Sequence, residues 1–198
     1  MTGVADVRGS ALGLPRQRYD ADARGPLAGV RVLDLTRLVS GAQFGVLLGD
    51  LGADVVKVER PGVGDPFRRA GSPEAHWRAY ARNKRSVTLD LRDPRGSQLL
   101  LRLVERADLL AENFAPGVLE RLCGGPDTLL ERNPRLVIVR ISGWGQSGPR
   151  ANRPGFGTLA EAFSGFTFLN GHADGPPHPA PLSLADAVAG TVGQAGSR

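Results

Sequence analysis

The chain has 198 residues, a length that suits one ordinary domain and excludes two large ones. Hydrophobic residues make up 41% and charged residues 23%. That balance is expected of a soluble globular protein, and no apolar run reaches the roughly 18 residues a membrane-spanning helix needs. A single cysteine, Cys123, excludes an intramolecular disulfide framework and a cysteine-rich zinc site. With an N-terminus that lacks the basic-then-apolar layout of a signal peptide, this points to a reducing, cytoplasmic setting. Lys+Arg is 25 against 20 Asp+Glu, a net charge of +5. Only Lys57 and Lys84 are lysines; every other cation is arginine. The arginines are scattered, without aromatic interleaving, which argues against nucleic acid and suits a small phosphorylated anion.

In chain order, residues 1–25 carry Gly, Arg, Asp and Ala with no apolar period and are expected to be a disordered tail. The folded part, 26–198, begins at Pro26. Alternation predicts a strand over 30–35, then a helix over 42–51 stopped by Gly52, then a strand over 54–59. Together they have the size of one βαβ unit. Residues 61–83 read as a long functional loop, 86–91 as a strand. Asp93-Pro94 is a helix start, and Leu99, Leu100, Leu103 and Val104 form the apolar stripe of that helix. A short strand over 108–112, short helices over 116–122 and 127–132, and a strand over 136–141 follow. A Gly/Pro-rich loop over 143–157 leads to helices over 159–168 and 184–192. Alternating strands and helices imply an α/β fold: a Rossmann-like, mostly parallel sheet with helices on both faces. Ligands then bind beyond the carboxyl ends of the strands, at 36–41, 59–62, 112–114 and 142–145.

Neither G-x-G-x-x-G nor G-x-x-x-x-G-K-[ST] is present, so nicotinamide-dependent and nucleotide-driven chemistry lose their support. His76, His172 and His178 have no ligand spacing, and no metal is expected. Cys123 has no activating base beside it in sequence. The corner Glu112-Asn113-Phe114-Ala115-Pro116-Gly117 admits two readings. It is a turn that starts a helix, or a ligand-binding corner with Asn113 facing the ligand and Arg121 one turn along. Asp186 also admits two. It is the acid of a capping-box variant begun by Ser183, or a nucleophilic carboxylate given room by Ala185, Ala187 and Gly190.

Six ordered segments carry a resemblance: LAGVRVLDLT (27–36), LGADVVKVERPGVGD (51–65), NKRSVTLDL (83–91), ENFAPG (112–117), NPRLV (133–137) and LAD (184–186). In these the chain resembles the N-terminal half of the class III CoA-transferases, the family of formyl-CoA and carnitine CoA-transferases and α-methylacyl-CoA racemase. The resemblance implies an incomplete large, CoA-binding domain. It implies Asp186 as the nucleophile that forms an aspartyl-CoA thioester. It further implies Leu38, Val39, Ser40, Arg60, Leu89, Asn113, Phe114, Val118 and Arg121 along coenzyme A. The expected partners are an acyl-CoA and a carboxylic acid acceptor, with a homodimer or a chain carrying the remaining half. A non-catalytic CoA-binding remnant, or half of a split enzyme, is the alternative. The family often has Gly-Phe-Asp or Gly-His-Asp where this chain has Gly155-Phe156-Gly157. Phe156 cannot act as the acid/base histidine of the racemase branch, so racemization is disfavoured.

Overall fold

The structure, a computed structural model, describes residues 24–69 and 73–196. The tail expected over 1–25 lies almost wholly outside the described residues. Among the described residues, five strands form one sheet: β1 (Arg31–Asp34), β2 (Asp54–Glu59), β3 (Lys84–Thr88), β4 (Leu109–Glu112) and β5 (Val137–Arg140). Every pairing is parallel and the order is β3-β2-β1-β4-β5. β1 is central because its residues bury on both faces. Val32 packs with Phe44, Leu48, Val55, Leu109 and Ala111 on one side, while Leu33 and Leu35 pack with Leu100, Val104, Leu110, Leu119 and Leu129 on the other. Such two-sided burial is what a parallel sheet covered by helices demands.

The first layer is α1 (Leu38–Asp50), with α2 (Pro73–Ala81) and α8 (Leu184–Gly196) packed against it. The second is α3 (Pro94–Val104), α4 (Val118–Cys123) and α5 (Gly125–Arg132). α3 starts as expected. Asp93 accepts a hydrogen bond from the Arg95 N–H, and Pro94 occupies the first turn, where its missing donor is harmless.

Three expectations change. The stretch 61–83 is not one loop: it folds into a 3₁₀ turn, Pro66–Arg68, and then α2. Phe67 is the anchor, stacked on Tyr80 at 5.0 Å and on His76 at 5.6 Å. α1 begins at Leu38, four residues before the predicted start, on a left-handed Leu38 with φ of 60°. The helix predicted over 159–168 is two, α6 (Gly157–Phe163) and α7 (Phe166–Leu169), separated at Gly165.

The strand order reverses between β1 and β4: from β1 the chain winds out to β2 and β3, then returns through α3 to β4 and β5. A crevice opens at the carboxyl ends of strands at such a reversal. Here its walls are residues 35–38 after β1 and 113–114 after β4.

Candidate active site

The reversal is fastened by an amide. The Arg37 N–H donates to Asn113 Oδ1 at 2.8 Å, and Asn113 Nδ2 donates back to the Arg37 carbonyl at 2.5 Å. Asn113 therefore ties the two sides of the crevice together through its whole amide group, rather than standing free toward a ligand. The joined strip divides two clefts. Arg37 and Phe114, with the guanidinium 5.1 Å from the ring centre, face the larger; Leu38 and Asn113 face the smaller.

The larger cleft, about 320 Å³, is lined by Arg37, Arg60, Arg69, Arg92, Leu89, Phe114 and Val118, among others. Its floor is held by buried ions. Glu59, at the end of β2, accepts from the Asp65 N–H at 2.8 Å, from Arg68 Nε at 2.7 Å and from the Ser86 hydroxyl at 2.5 Å. Burial alone would raise this carboxyl, but Arg68, Ser86 and the Asp65 N–H together hold it at about 2. Arg68 in turn lies 3.6 Å over the Trp77 ring. Beneath, Lys57 Nζ lies 2.9 Å from Asp65 and donates to the Thr36 carbonyl at 2.8 Å, while Lys84 Nζ meets Asp34 at 2.9 Å. Burial pushes Asp34 up, and Lys57, Lys84 and Thr36 more than reverse it, so the carboxyl sits below its ordinary range. The network fixes the 60–69 segment over the strand ends and leaves the rim arginines to face solvent.

A neighbouring groove, lined by Arg92, Ser97, Gln98, Val118, Arg121 and Leu122, joins the larger cleft through Arg92, Val118 and Leu122. Arg121 lies there, exposed. Val39 is half-buried in the first turn of α1, outside the lining of either cleft.

The smaller cleft, about 170 Å³, brings together Leu38, Ser40, Asn113, Ser142, Phe156, Gly157 and Asp186. Asp186 comes from the first turn of α8. Two close approaches place it. A Cβ on Gly190 would fall 2.4 Å from the Ser40 carbonyl, so only glycine lets α8 lie this near α1. A Cβ on Gly157 would fall 2.7 Å from Asp186 Oδ2, so α6 starts directly against the carboxylate. Burial pushes the Asp186 carboxyl above its ordinary value; the Ser40 hydroxyl opposes this, and Glu161 adds to it. Glu161, 4% exposed on α6, was missed by the sequence reading. Its signal was a lone acid inside an apolar helix. The Ser142 hydroxyl is buried at the cleft without a partner among the described residues.

The two clefts thus offer a cationic, half-apolar trough at one side of the reversal and a sheltered carboxylate at the other. Cys123, by contrast, is buried and hydrogen-bonded to the Leu119 carbonyl, and burial raises its thiol.

A profile of the family described as CoA-transferase family III matches residues 27–197. Among curated proteins, the succinyl-CoA–L-malate CoA-transferase beta subunit of Chloroflexus aurantiacus is 44% identical over 174 residues, covering 85% of this chain and 43% of that protein. The succinyl-CoA:glutarate CoA-transferase of Mus musculus is 37% identical over 193 residues, 95% of this chain and 44% of that protein. A CAIB/BAIF family protein from Brucella suis superposes with a TM-score of 0.84 at 36% identity, over 88% of this chain and 48% of the other. The chain therefore spans a little under half the length of the relatives it matches.

Proposed function

The chain belongs to CoA-transferase family III, and from that premise we propose that it moves coenzyme A from an acyl-CoA thioester to a free carboxylic acid, with Asp186 as the nucleophile. The observation that carries this reading is the placement of Asp186 in a sheltered cleft, across the β1/β4 reversal from an arginine-lined trough. The trough suits the phosphates of a CoA substrate, because a guanidinium pairs two phosphate oxygens with its planar fork. Leu89, Phe114 and Val118 supply apolar wall between Arg60 and the Arg121 groove. Leu38 and Ser40 lead from there to Asp186.

In the first step the Asp186 carboxylate attacks the thioester carbonyl. The C–S bond breaks, leaving an acyl-aspartyl anhydride and the CoA thiolate. The thiolate attacks the aspartyl carbonyl, forming the Asp186 thioester and releasing the donor acid as its carboxylate. The acceptor carboxylate then attacks that thioester, and the same two steps run in reverse order to give the new acyl-CoA and free Asp186. Covalent catalysis divides one difficult exchange into easier ones.

The test is transfer from succinyl-CoA to a panel of dicarboxylic acids, with hydroxylamine added to trap the intermediate. A hydroxamate on the peptide containing Asp186 is expected. Asp186→Ala should lose transfer by at least about 10³-fold. Full activity in that variant overturns the reading.

A second reading concerns partners and rests on exposed apolar side chains late in the chain. Phe163, Phe168, Leu169 and Val192 are each 60% or more exposed. A second polypeptide, another copy or a chain carrying the other half of the relatives' length, is the proposed cover, in a cytoplasmic assembly. A monomeric mass for the catalytically active species in light scattering would sink it.

A further inference from the structure

Asp186 shares the smaller cleft with Ser40 of α1 and Gly157 of α6, and the residue before it, Ala185, is held by Glu161 of α6. Glu161 stands one helical turn along α6 from Gly157, on the same face. Its Oε1 accepts the Ala185 N–H at 3.0 Å, and its Oε2 the Ala180 N–H at 3.4 Å. Ala185 is the second residue of α8, and its N–H is one of the helix's orphan donors. An acid from another helix satisfies it.

The consequence is specific to a nucleophile in a first helical turn. An acid there ordinarily turns back to the N-terminal N–H groups of its own helix, which consumes its lone pairs. Glu161 takes the Ala185 N–H, so the start of α8 is fixed from α6 rather than by the acid of its own first turn. Asp186 lines the cleft with Ser40 on one side and the bare Cα of Gly157 on the other.

We infer that Glu161 is a positioning residue for Asp186: it caps α8 from outside, keeps the Asp186 carboxylate turned into the cleft, and sets a second negative charge behind it. The charge acts in the same direction as burial and makes Asp186 more basic. A more basic carboxylate is the stronger nucleophile toward a thioester once ionised. The inference rests on the transferase reading for its purpose, but its test does not require turnover.

The experiment titrates Asp186 in the full 198-residue chain carrying [¹³Cγ]aspartate, its signal assigned by loss in Asp186→Asn. Hydrogen exchange at the Ala185 amide is followed in the same samples. Glu161→Gln keeps an acceptor for Ala185 but removes the charge. It should lower the Asp186 midpoint by about half a pH unit or more and leave Ala185 protection intact. Glu161→Ala should in addition speed Ala185 exchange by roughly tenfold. An unchanged midpoint in Glu161→Gln overturns the electrostatic role even if Glu161→Ala fails to fold. Unchanged Ala185 protection in Glu161→Ala overturns the capping role. If both shifts occur while Asp186→Ala retains full transfer activity, the nucleophile assignment falls and the placement of Glu161 stands.

Discussion

The sheet and the C-terminal third solve the same problem differently. Between β1 and β5, apolar side chains alternate onto two helical layers and disappear: Leu100, Val104, Leu110, Leu119 and Leu129 are fully buried. After β5, over 156–192, large apolar side chains stay at the surface, Phe168 at 78% and Leu169 at 83%. The charges divide the same way. Asp34, Lys57, Asp65 and Glu59 are buried and interlocked under the larger cleft, whereas Asp186 lines the smaller cleft with Ser40, and Glu161 accepts the Ala180 and Ala185 N–H groups. One region is a self-sufficient frame. The other is a surface that presents a half-buried carboxylate.

Substitutions should break that contrast in graded fashion. Asp34→Ala leaves Lys84 without its carboxylate partner and weakens the surroundings of Lys57. A buried charge stripped of its partner costs about 3–5 kcal/mol, read as loss of unfolding free energy in urea. Leu110→Ala should cost about 3 kcal/mol by the same measurement, because the site is closed on all sides and cannot collapse. Leu169→Ser should change stability by less than about 0.5 kcal/mol while weakening any partner contact at that face. Acid sharpens the difference. Glu59 is held at about 2 in the folded chain against an ordinary 4.5, so it binds its proton less readily folded than unfolded. Its contribution to stability is complete above the ordinary value and is lost as pH falls through about 2. Thermal melts should lose ground steadily from pH 4.5 downward, and Glu59→Gln should flatten that dependence.

What the sequence disclosed follows from how each feature is encoded. Four strands were legible, since each alternates or runs apolar over four to six residues; β3 was expected over 86–91 but runs Lys84–Thr88, because KRSVT holds a single apolar residue, Val87. Their parallel pairing was legible where helices were expected between them, and not between β2 and β3, where 61–83 was expected to be a loop. α2 was not, because PEAHWRAYA mixes aromatic and charged residues and owes its helix to Phe67, which lies outside it. The position of Asp186 was legible from the segments that resemble the transferase family. Its surroundings were not: Gly157, which reads as a missing acid in sequence, is in space the clearance for Asp186 Oδ2. Asn113 was singled out, but its partner is a backbone 76 residues away, and pairing of that kind leaves no local trace. The Glu161 contact to Ala185 is hidden for the same reason.

The two lysines have a further meaning. Their side chains are 3% and 2% exposed, and each amine is engaged by carboxylate and carbonyl oxygens. Thioesters of coenzyme A acylate accessible amines without any enzyme. Both lysine amines of this sequence are thereby withheld from acylation, and its remaining cationic side chains, being guanidinium groups, are far weaker nucleophiles. Arginine can attract the phosphates of such a thioester without being modified by its reactive end.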